Sequence, residues 1–326
     1  GEKWHYDMAL YLFRKGYSVI ICAAPDSALF EKAKNSNIRV YGFHINNLSF
    51  LNPFLHFRIR KFLKKQGVAH LVINLPSDLK AAGIAAHQTG VKQIIYRRGS
   101  AKPIKNSFLN RYLFKNIIHH VIANSQETKK TILYNNGNLF PEERITVIYN
   151  GIDVNEYNNQ PEETKSQEKF IVGTAGRLSK EKGHKRLLDI ASLLKKRNLP
   201  FTLKIAGIGP EEHTLKQKVH QLALEEQVHF EGFINPFADF LKQIDVFVLP
   251  SYYEGFGYVL VEAMAAEKPV LSFDIGASKE IICEGKNGYI ITDDNIEKMA
   301  EKLITLAKNP DLCKQLGRQG RKIVQD

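Results

Sequence analysis

The chain contains few cysteines and no long apolar stretch. Its three cysteines, Cys22, Cys283 and Cys313, lie far apart and form no C-x-x-C or His-rich spacing. Neither a disulfide framework nor a zinc site is therefore indicated, and the reducing cytoplasm is the favoured compartment. No run approaches the roughly 20 apolar residues needed to span a bilayer, and the opening residues are too charged for a secretory signal. We expect a soluble protein.

The composition is otherwise that of an ordinary globular protein, with an excess of positive charge. The 326 residues are 44% hydrophobic and 25% charged, and this length predicts two domains. The net charge of +12 favours an anionic partner, which charge alone leaves open among nucleic acid, anionic lipid and phosphorylated substrates.

Helical and strand patterns alternate along the chain and predict an α/β protein. A helical pattern stops at Lys15-Gly16, and the β-branched run Tyr17–Ala23 predicts a buried parallel strand. The polar segment Asn155–Glu168 separates two halves, so we place the domain boundary between residues 160 and 161. We predict one doubly wound parallel sheet in each domain, 1–160 and 161–326. In the second domain the predicted elements are strand 201–206, helix 211–226, strand 228–230, helix 237–243, strand 245–249, helix 257–267 and strand 269–273.

The stretch Asp245–Ser272 is the first candidate for a ligand site. A strand ends at Pro250, and a turn with two glycines, Gly255 and Gly257, then leads into a helix. Ligands of open α/β sheets bind beyond the carboxyl ends of strands, where helix N-termini offer free N–H groups. Glu254 and Glu262 would bind hydroxyl groups there. The alternative is a capping acid and a solvated helix residue.

A second candidate is the loop after the strand that begins at Phe170. Gly176, Arg177 and Lys182 lie in this loop, directly before a helix that starts near His184. An arginine fork and a mobile lysine charge suit a diphosphate and would stabilise a departing nucleotide. The alternative is a charged loop that is merely exposed to solvent.

Two common nucleotide signatures are incomplete or missing. The turn Ala206-Gly-Ile-Gly-Pro-Glu-Glu212 follows a strand, but Glu212 replaces the third glycine of a dinucleotide fingerprint and would repel a pyrophosphate. A P-loop motif does not occur. A nicotinamide dehydrogenase is therefore not favoured.

These motifs resemble those of glycosyltransferase family 4, retaining enzymes with the two-Rossmann GT-B architecture. The matching phrases in the second half are GRLSKEKG, IAGIGP, VHFEGF, E-G-F-G-x-x-x-x-E from Glu254 to Glu262, and AMAAEKPVLSFDIGASKEII. The first half is similar through Ile122–Ser125 and Val147–Asp153.

The resemblance implies how a nucleoside diphosphate sugar would bind. It assigns the diphosphate to Arg177 and Lys182 and the ribose to Glu262. It also implies that Glu254 and the backbone of Gly255, Phe256 and Gly257 hold the donor sugar. The loop Gly232-Phe233-Ile234 would lie beside the nucleobase, and Gly176 would belong to the donor site.

The implied reaction is a front-face transfer with retention, in which the acceptor hydroxyl attacks the anomeric carbon and the leaving phosphate accepts its proton. The sequence contains no D-x-D triplet, so cationic side chains would replace a metal. No cofactor is expected besides the co-substrate, whose base stays open.

The sequence departs from the family pattern in two places. Only Gly1 remains of the usual N-terminal glycine loop, and the chain stops at Asp326. We therefore expect a chain truncated at both ends, with weakened domain closure. Where many members carry a histidine facing the sugar, this sequence has Arg97 and Arg98. Either arginine would contact phosphate or an anionic acceptor, or both form a solvated strand end.

The basic stretch Phe54–Lys65 predicts an amphipathic helix. Leu55, Ile59, Phe62 and Leu63 share one face, which would either dock on an anionic membrane or pack on the first domain. Membrane docking would favour a lipid-linked or lipopolysaccharide-type acceptor and a place at the inner face of the membrane.

We predict a glycosyltransferase that moves a hexose-like unit to a glycan, lipopolysaccharide or glycolipid hydroxyl. The alternative enzyme is a nucleotide-sugar 2-epimerase of the same architecture, which needs acid and base side chains beside the sugar. A nucleic-acid-binding protein is disfavoured, because the basic residues are dispersed and no known module is present.

Overall fold

The computed structural model describes residues 2–134, 136–157 and 169–325. The chain divides into two compact units, Gly1–Asn150 and Gly151–Asp326. The boundary predicted between residues 160 and 161 lies outside the described residues.

The first unit contains parallel strands that alternate with short helices. Its strands are β1 Ile20–Ala23, β2 Arg39–Gly42, β3 His70–Ile73, β4 Gln93–Arg98, β5 His120–Ala123 and β6 Ile145–Val147. Its α-helices are α1 Glu2–Arg14, α2 Ala28–Lys34, α3 Pro53–Gln66, α4 Pro76–Asp78, α5 Ile84–Gln88, α6 Phe108–Tyr112 and α7 Gln126–Leu133. The strands form a two-stranded sheet, β1-β2, and a four-stranded sheet, β3-β4-β5-β6.

The first strand is shorter and less buried than the sequence predicts. Residues 17–19 are not in a strand, Tyr17 is exposed, and only Ile21 of β1 is buried. Within the described residues β1 pairs with β2 alone. The predicted strand is therefore parallel, as expected, but it is shorter than Tyr17–Ala23 and only partly buried.

Helix α3 packs the apolar face that its sequence predicts against the core of the first unit. Leu55, Ile59, Phe62 and Leu63 are all buried there. Asn52 caps the helix by accepting a hydrogen bond from the N–H of Leu55. This apolar face therefore does not insert into a membrane, and the packing alternative is confirmed.

The second unit is built on one six-stranded parallel sheet. Its strands are β7 Phe170–Ala175, β8 Phe201–Ala206, β9 Val228–Gly232, β10 Val246–Leu249, β11 Val270–Phe273 and β12 Gly288–Ile291, in the order β12-β11-β10-β7-β8-β9. Its α-helices are α8 His184–Lys196, α9 Glu212–Gln221, α10 Phe237–Lys242, α11 Tyr258–Ala265, α12 Ser278–Ile281, α13 Ile296–Ala307 and α14 Pro310–Gln325.

Both faces of the six-stranded sheet carry a hydrophobic core. Strands β10 and β11 are buried at every position, as expected for parallel strands covered by helices on both sides. The strand order reverses between β7 and β10, which are neighbours in the sheet. Ligands of doubly wound sheets bind where the strand order reverses. The loops after β7 and β10 are therefore the expected lining of a ligand site.

Helix α9 ends earlier than predicted. The sequence pattern predicted a helix over 211–226, but α9 ends at Gln221, and Ala223 follows with φ +49°. This left-handed residue turns the chain toward β9, which the periodicity of apolar residues did not indicate.

Candidate functional site

The loops that follow β7, β10 and β11 pack backbone against backbone at the carboxyl edge of the second sheet. Gly183, with φ +68°, lies so close to Pro250 that an added Cβ would be 1.8 Å from the Pro250 carbonyl oxygen. Gly276, with φ +49°, would place a Cβ 2.0 Å from the carbonyl oxygen of Glu254. Only glycine fits at these two contacts, and the close packing brings the two sequence-predicted loops together.

Lys182 and Glu254 form an ion pair at this edge. The Lys182 Nζ lies 2.7 Å from Glu254 Oε2, and both side chains are partly buried. The aliphatic stem of Lys182 runs over Gly176, with its Cδ 3.8 Å from the position of a Cβ there. The structure thus joins a lysine expected to bind phosphate with a carboxylate expected to bind sugar hydroxyls.

Arg177 lies in the same loop, between Gly176 and Lys182, and its side chain is exposed. The loop is held by Ser179, whose hydroxyl donates to Glu181 Oε1 at 2.7 Å. This hydrogen bond is the main cause that lowers the pKa of Glu181. Arg177 is therefore anchored at its backbone while its guanidinium stays accessible to an incoming anion.

Glu262 is buried on α11 and accepts a hydrogen bond from the Tyr157 hydroxyl at 2.9 Å. The interpretation of Glu262 as a solvated helix residue was therefore wrong. Burial first, and then the Glu262 carboxylate, raise the pKa of Tyr157, so its hydroxyl stays protonated and donates. Arg321 of α14 donates to the carbonyl of Tyr157 at 3.1 Å. The sequence prediction missed Tyr157 because it lies within the polar segment Asn155–Glu168 between the domains.

Arg186 is a second residue that the sequence did not single out. This buried side chain donates from Nε to the Pro250 carbonyl at 2.5 Å and from Nη1 to Asp294 Oδ1 at 2.6 Å. Its guanidinium also lies 3.6 Å from the centroid of the Phe273 ring. Arg186 therefore fixes the start of the loop that carries Glu254. An arginine in the first turn of an amphipathic helix gives no signal of this role.

His184, the first residue of α8, is buried beside these groups. Burial, and then the charge of Lys182, lower its pKa to about 4. Among the described residues its Nδ1 has no hydrogen-bond partner. The imidazole is therefore neutral at pH 7 and adds no positive charge to the site.

The remaining donor-side candidates lie in two places. Phe256 is buried in the core under α11, so only its backbone, with Gly255 and Gly257, can face a ligand. The loop Gly232-Phe233-Ile234 follows the edge strand β9 and is tied to Gly207, whose N–H donates to the Gly232 carbonyl at 2.6 Å. The Phe233 side chain is 75% exposed, as a stacking surface for a base would be.

The first unit buries both arginines that end β4. The Arg97 guanidinium donates to Asn74 Oδ1 at 2.9 Å and to Asn150 Oδ1 at 2.8 Å. It lies 4.6 Å from the centroid of the Trp4 ring. Arg98 donates to the Lys102 carbonyl. The interpretation of a solvated strand end was therefore wrong. Gly1, the other candidate in this unit, lies outside the described residues.

Residues 2–134, 136–157 and 169–325 contain neither a cluster of metal-ligating side chains nor a helix that could span a membrane. Over these ranges no group of three or more His, Cys, Asp or Glu side chains is arranged to hold a metal ion. No helix there has the length and apolar character to cross a membrane.

A site of this kind belongs to the nucleotide-binding α/β proteins. A strand-end cation, neighbouring carboxylates and a helix N-terminus meet at the reversal of a doubly wound sheet. The family model described as "Glycosyl transferases group 1" matches residues 155–323, and that of "Glycosyltransferase Family 4" matches residues 1–156. The chain therefore belongs to the group 1 glycosyl transferases of family 4, as the motif resemblance predicts.

Individual relatives extend over different parts of the chain. An uncharacterized glycosyltransferase of Haemophilus influenzae is 24% identical over 331 residues, covering 100% of this chain and 91% of the relative. A poly(ribitol-phosphate) alpha-N-acetylglucosaminyltransferase of Staphylococcus aureus is 29% identical over 214 residues, covering 65% of this chain and 42% of the relative. The chain thus spans less than half the length of some curated relatives, 41% of one and 42% of another.

Solved structures confirm the fold. The crystal structure of HepE from Anabaena in complex with UDP-glucose has a TM-score of 0.84 and 23% sequence identity. The match covers 99% of this chain and 90% of HepE. The expected GT-B architecture with two Rossmann-like domains is therefore confirmed.

Proposed function

We propose that the protein transfers a hexose-like unit from a nucleoside diphosphate sugar to a hydroxyl of a glycan, lipopolysaccharide or glycolipid, with retention at the anomeric carbon. Membership of the glycosyltransferase family supports the reaction class. Two observations carry the donor assignment. One is the Lys182–Glu254 pair at the sheet reversal, and the other is the buried Glu262 on α11, which accepts from Tyr157.

Each donor part has a candidate partner in the second unit. The diphosphate would lie beside Gly176, where Arg177 and Lys182 supply positive charge. Glu262, already held by Tyr157, would accept hydrogen bonds from the ribose hydroxyls. The base would stack near Phe233. Glu254 would bind a sugar hydroxyl next to the diphosphate, because its carboxylate is 2.7 Å from the Lys182 ammonium.

The charge of the leaving group would be balanced by side chains and not by a metal ion. Transfer breaks the bond between the anomeric carbon and the diphosphate oxygen and leaves an extra negative charge on the diphosphate. Lys182 and Arg177 would stabilise that charge more in the transition state than in the bound donor, which lowers the barrier. The departing oxygen would take the proton of the attacking hydroxyl on the same face, which gives retention.

The acceptor and the location are part of this proposal. The Staphylococcus aureus relative acts, by its name, on a poly(ribitol-phosphate), and an anionic acceptor of that kind would suit a chain of net charge +12. The scarcity of cysteine favours the cytoplasm, and a lipid-linked acceptor would bring the enzyme to the inner face of the membrane.

Calorimetric titration with UDP, GDP, ADP and their sugars tests the donor site. One nucleotide should bind saturably, and Arg177→Ala and Glu262→Ala should each weaken it about tenfold or more, as expected for loss of a charge-assisted hydrogen bond. Arg318→Ala, an exposed arginine on α14, is the matched control and should bind like the wild type. Equal affinity in all variants would contradict the assignment.

The reaction is tested separately by product analysis with the nucleotide sugar that binds. Transfer to an added glycan, with the anomeric configuration of the donor preserved in the product, is the expected result. Conversion of the donor alone to its 2-epimer would instead identify the alternative enzyme. An inverted product would contradict the front-face mechanism while leaving the donor site intact.

A further inference from the structure

The positive charge of the chain is concentrated in one stretch of the first unit. Residues 32–126 contain sixteen lysines and arginines and a single acidic residue, Asp78. This stretch carries a net charge of +15, which exceeds the +12 of the whole chain. Asp78 supplies one negative charge against these sixteen positive charges. Such a field attracts a large anionic partner.

Large apolar side chains are exposed within the same stretch. Leu48, Leu51, Phe54 and Phe57 are 70%, 67%, 81% and 58% exposed. They lie within ten residues of one another, whereas single exposed apolar residues are usually scattered. Phe54 and Phe57 belong to α3, and the two leucines precede it. An apolar cluster of this size marks an interaction surface.

The segment that carries the cluster is held in a defined conformation. His56 Nε2 lies 3.0 Å from the carbonyl oxygen of Phe50 and ties the turn before α3 to the helix. Asn52 caps α3 through the N–H of Leu55 at 3.1 Å. The opposite face of α3 is fixed in the core. The apolar side chains are therefore presented to solvent by a rigid support.

The outer face of α3 combines these apolar side chains with a basic stripe. Phe54, Phe57, Arg58, Lys61 and Lys65 follow the spacing i, i+3, i+4, i+7 and i+11, which places them on one helical face, and all five are exposed. Lys64 is exposed beside them. We call the eight residues together the α3 surface: Leu48, Leu51, Phe54, Phe57, Arg58, Lys61, Lys64 and Lys65.

We infer that the α3 surface docks on an anionic lipid bilayer. The two phenylalanines and two leucines would enter the boundary between headgroups and acyl chains, while the lysines and Arg58 contact the lipid phosphates. An anionic polymer would pair with the lysines but would give the exposed Leu48, Leu51 and Phe54 no apolar environment, so the combination favours a bilayer. The apolar face of α3 that the sequence analysis considered for this role is occupied by the core.

The inference deepens the proposed membrane location and is independent of the proposed sugar transfer, because lipid binding is measured without a reaction. Purified protein is sedimented with vesicles of phosphatidylcholine alone and of phosphatidylcholine mixed with phosphatidylglycerol. We expect binding to the mixed vesicles and little binding to the neutral ones, with the binding weakened by added salt.

Two variants separate the apolar and basic contributions. Phe54→Ser/Phe57→Ser and Lys61→Gln/Lys64→Gln/Lys65→Gln should each reduce the partition coefficient about tenfold or more. The matched controls are Tyr17→Ser/Tyr134→Ser, two exposed aromatic residues elsewhere in the first unit, and Lys314→Gln/Arg318→Gln/Lys322→Gln, three exposed charges on α14. Both controls should bind vesicles like the wild type.

Other outcomes would overturn the inference. Equal loss in the α14 control would show attraction by net charge alone. Unchanged vesicle binding by the phenylalanine variant, together with equally tight binding of soluble polyphosphate, would identify an anionic polymer as the partner. Circular dichroism and nucleotide titration of the same variants show whether the fold and the donor site are intact, so loss of lipid binding is distinguished from failure of the proposed function.

Discussion

At the scale of single residues, Tyr157 gives the clearest case of a side chain whose role only its contacts define. Its ring is buried in the core below α11, and its hydroxyl donates to the Glu262 carboxylate at 2.9 Å. Its carbonyl accepts from Arg321. Tyr157 therefore positions a carboxylate that we propose to bind the ribose. Its own side chain is neutral and contributes no charge to the site.

Replacing Tyr157 with phenylalanine should test this positioning role. Tyr157→Phe keeps the buried ring but removes the hydrogen bond from its hydroxyl to Glu262, which should cost about 1 kcal/mol in the free energy of unfolding. We also expect the dissociation constant of the nucleotide to rise about threefold to tenfold. Urea unfolding and calorimetry measure the two effects.

The control for Tyr157→Phe is Tyr289→Phe in the same unit, where the tyrosine ring lies under Lys302. This control should leave nucleotide affinity unchanged. If Tyr157→Phe lowers stability but binds nucleotide like the wild type, the Tyr157 hydroxyl stabilises the fold and does not position Glu262 for binding.

His184 should make stability depend on pH. Because burial lowers its pKa from 6.5 to about 4, the unfolded chain binds a proton more readily than the folded one. The stability associated with neutral His184 is therefore present above about pH 6.5 and is lost as the pH falls toward about 4, by on the order of 3 kcal/mol. Urea unfolding at several pH values measures this slope.

A comparison of wild type with His184→Gln isolates that effect, because other groups titrate in the same range. Asp78, whose pKa is raised to about 6, acts in the opposite direction, since it favours the folded state at low pH. The variant should lose less stability than the wild type between pH 6.5 and 4. Parallel pH profiles would contradict the assignment to His184.

At the scale of elements, the start of α8 depends on a glycine. Gly183 has φ +68°, and a Cβ there would be 1.8 Å from the Pro250 carbonyl oxygen. Gly183→Ala should therefore add a steric clash to the cost of the left-handed conformation, for a total of about 3 kcal/mol or more. The displaced loops should also lose nucleotide binding.

Gly285→Ala is the matched control for this prediction. Gly285 has φ +71° but no neighbouring atom within 4 Å of an added Cβ. It should lose only the conformational term, about 1 kcal/mol, and keep nucleotide binding. Equal losses of stability in the two variants, measured by urea unfolding, would show that the added Cβ at position 183 does not clash with Pro250.

The sequence predicted the central elements of the second unit better than their ends. Strand β8 was predicted with its observed bounds, and β10 and β11 within one residue, because continuous apolar runs define buried parallel strands. Helix α9 was predicted too long, because Ala223, which follows the helix, adopts a left-handed conformation that a helix cannot continue through. The apolar run Tyr17–Ala23 predicted a buried strand, whereas β1 is only partly buried. An apolar run in the sequence does not show which elements will cover the strand.

At the scale of the whole molecule, each unit has its own hydrophobic cores. The residues of the candidate donor site, from Tyr157 to Arg321, all belong to the second unit. Residues 151–326 produced alone should therefore unfold cooperatively in urea and bind the same nucleotide as the full chain. A broad, non-cooperative transition would show that the second unit depends on the first for its stability.

The sequence by itself determined the family, the doubly wound second domain and the two loops that form the candidate donor site, because glycines, strand-end charges and apolar runs act over a few residues. Only the tertiary structure decided that Lys182 pairs with Glu254, that Tyr157 donates to Glu262 while Arg321 donates to the Tyr157 carbonyl, and that Arg97 and Arg98 are buried. It also decided which face of α3 is exposed. These partners are up to 164 positions apart, and packing and burial at such separations depend on the assembled sheet, which no local pattern contains.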